Sequence, residues 1–237
     1  MKISIITATF NSEVLIGALI KSLELQTNHD FEWIVADGGS KDRTVELVNA
    51  AAVKNKLILQ RDDFGIYDAI NGAIKVAKGE YYLVVGSDDH LEYDCVNNFI
   101  TNPMFGEAEI ITANLMFGSV KRGVKGGRSA LNKQFAYVSS HAVGTIFKTK
   151  LHDVFGLYTS KFPIAADQLF ILTACKGGAK VEKADFVAGT FAIGGVSSYD
   201  FVGTLSESFR IQLKFHNRLF QVLIFIWKLL RYYRDIK

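Results

Sequence analysis

The sequence predicts an α/β fold, a mostly parallel central sheet flanked by helices. Three observations carry that expectation. Short apolar runs alternate with amphipathic segments from the N-terminus to about residue 90, at the spacing of βαβ units. Of the 237 residues 49% are hydrophobic and only 2 are Pro, so the chain has the material for one sizeable packed core. The residues that end the apolar runs are polar, most of them carboxylates.

Residues 2–7 (KISIIT) predict the first strand, and their one Lys and short apolar run argue against a signal peptide. In 11–26, Val14, Leu15, Ala18, Leu19, Ser22 and Leu23 recur at helical spacing, with Asn11 or Ser12 able to cap. FEWIVAD (31–37) predicts the second strand, GGS (38–40) a turn, and 43–51 a helix. Strand 56–60, helix 66–77 and strand 80–86 complete the alternation. Residues 92–100 predict a helix, 109–117 and 144–149 strands, 165–178 a helix ending in glycines, and 186–200 a strand followed by a small-residue turn. The basic, glycine-rich 118–129 reads as a loop.

Charge and composition narrow the function. Six cations face one carboxylate in 214–237, whereas the rest of the chain is net acidic within an overall +3. A nucleic-acid-binding body would carry its basic patch on the fold itself, so no nucleic-acid partner is expected. Cys95 and Cys175 match no ligand spacing, which disfavours zinc and disulfides and suits a reducing cytosol. No G-x-G-x-x-G follows the first strand and no P-loop is present.

Parallel sheets bind ligands at the carboxyl ends of their strands. That rule groups Thr7, Asp37, Asp62, Asp63, Asp88 and Asp89 along one predicted sheet edge. The adjacent pair Asp88-Asp89 offers hard oxygen donors, suited to Mg²⁺ or Mn²⁺ with phosphate and water oxygens; the same pair could instead cap a following helix.

ITATFNS, EWIVADGGSKDRT, DDFGIYDAINGAI, VVGSDD and AADQ fall in an order and spacing that resembles family 2 glycosyltransferases of GT-A fold, over about residues 1–200. The resemblance is to the bacterial branch that builds surface polysaccharides. Asn71-Gly72-Ala73 and His141-Ala142 depart from the usual Asn-Lys-Gly and His-Gln. The resemblance implies an inverting, metal-dependent transferase that moves a sugar from a nucleotide-sugar donor, UDP-linked, to a glycan or polyprenyl-diphosphate-linked acceptor. It assigns Asp89 the direct metal contact, with Asp88 as second ligand or donor-site residue. Asp37, and near it Thr7, would face the base, since an ionised carboxylate accepts from uracil N3–H. Asp63 and Asp68 would lie beside the nucleotide sugar, and Gly194, Gly195 and Ser197 near the diphosphate. His141 would stand near the acceptor, and Asp167 would be the general base. Each has a structural alternative: a strand end for Thr7, the 38–40 turn for Asp37, the helix macrodipole for Asp68, a helix cap for Asp167, an ordinary hydrogen bond for His141, and a plain turn for the glycines.

The expected organisation is a GT-A domain over 1–205 and an amphipathic basic helical tail over 206–237. The longest uninterrupted apolar run in the tail, VLIFIW, is too short to span a bilayer. Its basic and aromatic residues favour a peripheral contact with the inner face of the cytoplasmic membrane over packing on the domain or a second subunit. Two other classes stay open: a sugar-nucleotide nucleotidyltransferase, which would usually show a glycine-rich basic motif near its N-terminus, and a non-catalytic glycan- or lipid-binding module.

Overall fold

The computed structural model describes residues 1–62, 65–192 and 200–235, with the backbone alone at 232, 234 and 235. β1 (Ile3–Thr9), β2 (Phe31–Asp37), β3 (Lys56–Gln60) and β4 (Tyr81–Val84) alternate with α1 (Ile16–Glu24), α2 (Thr44–Ala50) and α3 (Ile66–Val76). Then follow β5 (His90–Leu91), α4 (Cys95–Ile100), β6 (Ile110–Phe117), β7 (Val120–Arg122), α5 (Ser129–Asn132) and a 3₁₀ turn (Lys133–Ala136). β8 (Thr145–Lys148), α6 (Leu151–Phe155), α7 (Ala166–Lys176) and β9 (Val181–Phe191) complete the body, and α8 (Phe201–Phe215) and α9 (Arg218–Asp235) end the chain.

Among the described residues one sheet runs β3-β2-β1-β4-β8-β6-β9-β5, with β7 paired to β6. The expected α/β fold is present, but the sheet is mixed rather than mostly parallel. It is parallel through β3-β2-β1-β4 and between β6 and β9, while β8, β5 and β7 pair antiparallel to their neighbours.

Side chains alternate across a strand, so a doubly covered sheet has two cores. Ile3, Ile5, Trp33, Val35, Leu83 and Val85 face α1 and α4 residues such as Leu19 and Phe99. Ile6, Ile34, Ala36, Tyr82 and Val84 face the opposite side, against Ile70 and Ala73 of α3, Phe170 and Ile171 of α7, and Ile211 of α8. With both faces covered, functional groups are left to the strand ends.

The expected boundary after residue 205 falls inside α8. Asp200 Oδ1 accepts from Gly203 N at 2.7 Å and starts that helix, and its residues Leu205, Glu207, Ser208, Ile211 and Gln212 are buried on the body. α9 packs less closely. Gln221 Nε2 donates to the Ala130 carbonyl at 3.0 Å, and Phe225 stacks on Phe209 with ring centroids 4.4 Å apart. Leu219, Leu223, Ile226 and Leu230, at steps of four, three and four, remain exposed with Trp227 beside them. Among the described residues no helix is long and apolar enough to cross a membrane.

Candidate active site

The parallel register sets the carboxyl ends of β1 and β2 side by side, with Thr9 opposite Asp37. β1 thus runs two residues beyond the expected end. Thr7 is fully buried inside the strand, and its hydroxyl accepts from Trp33 Nε1 at 3.1 Å. Thr9 takes the strand-end position that Thr7 was expected to hold, and its buried Oγ1 has no hydrogen-bond partner among the described residues.

Asp37 is buried at the end of β2. Its Oδ2 accepts from Gly39 N at 3.1 Å and Ser40 N at 2.9 Å, and its Oδ1 accepts from the Ser40 hydroxyl. The turn closes because Gly39 adopts φ +84°, a conformation that glycine takes without steric cost. Ser40 Oγ in turn accepts from Asn11 N at 2.8 Å, which joins this turn to the loop after β1. The carboxylate therefore holds the turn and keeps lone pairs for a further donor.

After β4 the chain turns at Gly86 into Ser87, Asp88 and Asp89. Asp89 Oδ2 accepts from Gly86 N at 2.9 Å, and Oδ1 accepts from Ala192 N at 2.8 Å, just beyond β9. Only 2% of Asp89 is exposed. Burial pushes its pKa up to about 6 against those two N–H donors, and the charge of Asp88 adds to the rise. A Cβ on Gly86 would lie 2.8 Å from Asp88 Oδ1 and 2.9 Å from Asp89 Oδ2, so both carboxylates close over a space that only glycine leaves open. The next helix, α4, begins at Cys95, and neither carboxylate caps it. Among the described residues no group of three or more His, Cys, Asp or Glu could hold a metal ion. Two carboxylates nonetheless fit Mg²⁺ or Mn²⁺, which keep waters and take substrate phosphate oxygens as their other ligands.

Asp68, in the first turn of α3, pairs with Arg61 at 3.0 Å on a part-exposed face. Asp63, Gly194, Gly195 and Ser197 lie outside the described residues.

Asp167 sits in the first turn of α7, where Ala165 holds the cap position. Its Oδ1 accepts from Tyr67 Oη at 2.8 Å. Burial, and next the Asp167 charge, hold the Tyr67 hydroxyl well above its ordinary pKa, so it stays a donor. α8 braces the segment before α7: Glu207 Oε2 accepts from Ile164 N at 3.0 Å and Ala165 N at 2.9 Å.

His141 precedes Ala142, which bridges to Val84 at the end of β4. The Asp167 charge reaches its ring, opposing the larger downward effect of burial on its pKa. His141 Nε2 lies 2.7 Å from Tyr158 Oη, which lies 2.6 Å from Tyr82 Oη. Tyr82 Oη lies 2.9 Å from His152 Nε2, and His152 Nδ1 lies 2.9 Å from the Gly156 carbonyl. That carbonyl can only accept, so His152 Nδ1 carries a proton. Burial lowers the pKa of His152, leaving its neutral Nε2 as an acceptor for Tyr82. Tyr82 then accepts from Tyr158, and Tyr158 accepts from His141 Nε2–H. The lone pair of neutral His141 is therefore on Nδ1.

The structure gathers Asp37, Asp88 and Asp89 on one sheet edge, and sets His141 within electrostatic reach of Asp167. Thr7 is not part of this edge. Sequence reasoning missed Thr9, Tyr67, Glu207 and the Tyr158–Tyr82–His152 row. Of these only Glu207 left a signal: it stands four residues before Ile211, on the apolar face of its helix.

The chain matches the family described as Glycosyl transferase family 2 over residues 4–162. It is 30% identical over 212 residues to a PGL/p-HBAD biosynthesis glycosyltransferase of Mycobacterium bovis, covering 86% of this chain and 79% of that one. Its fold is similar to that of S. aureus TarS 1-349, solved in complex with UDP, with a TM-score of 0.70 at 24% identity over 93% of this chain and 68% of that one. It is also similar to a mannosyltransferase from Pyrobaculum calidifontis solved with GDP-Man and Mn2+, with a TM-score of 0.69 at 16% identity, covering 91% and 65%.

Proposed function

The chain belongs to glycosyl transferase family 2, and from that premise we propose that it transfers a sugar from a UDP-linked donor to a glycan or lipid-linked acceptor in surface polysaccharide assembly, with inversion at the anomeric carbon. The observation that carries the reading is the division of carboxylates. Asp37, Asp88 and Asp89 share one sheet edge, while Asp167 stands apart on α7, held by a tyrosine from α3.

Asp37 accepts from the uracil N3–H, and the unpartnered Thr9 hydroxyl beside it is a second contact for the nucleoside. Asp88 and Asp89 would hold Mg²⁺ or Mn²⁺, which would supply a Lewis acid for the departing diphosphate. That two similar folds were solved with a nucleotide or with a nucleotide sugar and Mn2+ supports this assignment. Asp167 takes the proton of the acceptor hydroxyl as its oxygen bonds to the anomeric carbon. The bond from that carbon to the diphosphate breaks, and the electron pair leaves with UDP. A single displacement inverts the centre, and one base suffices. The Tyr67 hydrogen bond fixes the direction in which Asp167 presents its free oxygen. His141, with its lone pair on Nδ1, accepts from a hydroxyl of the acceptor.

The exposed stripe Leu219, Leu223, Ile226 and Leu230, with Arg218 and Arg231 on the same helix, suits the headgroup region of an anionic membrane. The stripe supports a peripheral location at the inner face of the cytoplasmic membrane.

Thermal shift with UDP-, GDP- and dTDP-sugars, with and without Mn²⁺, tests the donor. Stabilisation by UDP-sugars that grows with Mn²⁺ is expected, and stabilisation by none of them would refute the reading. Release of pyrophosphate from UTP and a sugar phosphate would instead make the protein a nucleotidyltransferase. Flotation with anionic vesicles tests the tail: the full chain should float and its Leu223→Glu/Ile226→Glu variant should not.

A further inference from the structure

The stretch 118–129 contains Lys121, Arg122, Lys125 and Arg128 and no carboxylate. It folds back on β6 as β7 through the two-residue turn Gly118-Ser119, where Gly118 takes φ +59°. The register sets Val120 opposite Phe117 and Arg122 opposite Leu115. Side chains alternate across a strand, so Arg122 shares a face with Leu115 and Phe117, and Lys121 lies on the other. There Lys121 pairs with Asp185 at 3.7 Å, and Asp185 Oδ1 also accepts from Asn114 Nδ2 at 3.1 Å. A Cβ on Gly123 would lie 2.4 Å from Asn114 Oδ1, so glycine lets the arm come this close to β6. Arg122 has different company. Its guanidinium carbon lies 3.6 Å from the centroid of the Phe117 ring. Phe117 stacks on Phe191, its register partner on β9, with centroids 5.9 Å apart and ring planes 11° off parallel. Among the described residues Arg122 forms no ion pair with a carboxylate, and neither do Lys125 and Arg128.

β8 runs antiparallel to both β4 and β6, so β6 and β9 point the same way as β4. Phe117 and Phe191 therefore lie at the same sheet edge as Asp37 and Asp89. Ala192, the residue after Phe191, is the one whose N–H holds Asp89 Oδ1. Asp37 ends β2 and the aromatic pair ends β6 and β9, with β4, which leads into Asp89, between them in the sheet. A guanidinium stacked on a ring keeps the N–H edges of its fork free, and that fork matches phosphate oxygens two at a time. We propose that Arg122 binds a phosphate group of the sugar acceptor, beside the metal carboxylates and on the side away from the nucleoside. Phe117 and Phe191 hold the guanidinium in place, and Lys125 and Arg128 add attraction at longer range. The assignment of the ligand as the acceptor rests on the transferase reading above; the anion contact itself does not. A lipid-linked diphosphate and a phosphodiester polymer share this chemistry.

The test is calorimetric titration of the full chain with three probes: an N-acetylglucosaminyl diphosphate on a short alkyl chain, an oligomer of glycerol phosphate, and the uncharged alkyl N-acetylglucosaminide. At least one charged probe should bind about tenfold or more tightly than the uncharged one, and which of the two binds better identifies the source of the phosphate. Arg122→Gln should weaken that probe about tenfold or more with UDP affinity unchanged. Arg122→Lys keeps the charge but not the stacked fork, and it should also weaken the probe. Charged probes that bind no better than the uncharged one, or an Arg122→Gln variant that binds them as wild type does, would overturn the proposal. An Arg122→Lys variant with wild-type affinity would overturn the role of the fork. Loss of UDP affinity in Arg122→Gln equal to the loss for the charged probe would make Arg122 a donor contact and overturn the acceptor assignment. A wild-type chain that binds a charged probe through Arg122 but no UDP would refute the transferase reading and leave the anion contact standing.

Discussion

Replacing Asp89 by Asn should stabilise the metal-free protein relative to wild type progressively as the pH rises from 4.5 to 7. The unfolded chain ionises this carboxyl near 3.8, whereas burial delays ionisation in the folded chain to about 6. Between those values the unfolded state has already released a proton that the folded state retains. Raising the pH through that window therefore favours unfolding. The full window is worth about 3 kcal/mol, at about 1.4 kcal/mol per pH unit, and the part between pH 4.5 and 7 about 2 kcal/mol. Asn does not titrate, so the variant escapes this loss. Its amide has one oxygen for the two donors Gly86 N and Ala192 N, and the lost bond costs about 1–3 kcal/mol at every pH. The informative quantity is thus the pH dependence of the stability difference, not its size at one pH. Urea unfolding in EDTA, followed by the fluorescence of buried Trp33, measures it. A difference that stays flat to within about 0.5 kcal/mol would refute the argument that burial governs Asp89. A difference that moves against the variant as pH rises would show that the two N–H donors outweigh burial.

Tyr67→Phe removes a hydrogen bond to a carboxylate, worth about 1.5–3 kcal/mol, so kcat should fall tenfold or more while donor KM is unchanged; a changed donor KM with kcat preserved would contradict the placement of Asp167. Asp167→Ala should abolish transfer but keep UDP binding by calorimetry. Glu207→Ala leaves Ile164 N and Ala165 N without an acceptor and should destabilise the fold by about 1–3 kcal/mol in chemical denaturation. ¹⁵N NMR of the imidazoles should find His141 protonated on Nε2 and His152 on Nδ1 near pH 7, and a proton on His141 Nδ1 would break the derived order. Both rings have folded pKa values below the ordinary 6.5, so the unfolded chain takes up their protons first and stability should fall as pH drops below about 6.5.

The first half of the sheet was legible because strands buried on both faces read as continuous apolar runs, as in FEWIVAD. The second half was harder to read. β5 is two residues long and exists only through its pairing with Thr190 and Gly189, about a hundred residues away. β7 is an exposed hairpin arm inside a stretch that read as a loop. β9 starts at Val181, five residues before the expected strand, because its charged first half is only partly buried. The start of α8 was announced by Asp200, whose capping role was not read. The site followed the same division. Carboxylates at strand ends show their position in one dimension. Their partners do not: Tyr67 meets Asp167 across 100 residues, and nothing local to either marks the meeting.

The row from Gly156 to His141 has a direction. Its far end is a backbone oxygen that cannot donate, and each member inherits its proton arrangement from the one before. The His141 imidazole is thus set by an atom at the end of α6, not by whatever approaches it. A visitor that offers a hydroxyl hydrogen to His141 Nδ1 is met by a lone pair. One that offers only lone pairs would have to reverse every hydrogen in the row together, deep in the core. If His141 holds the acceptor as proposed, the row would fix the polarity of that contact: the hydroxyl held there donates to the ring, and the reacting hydroxyl is a different one, facing Asp167.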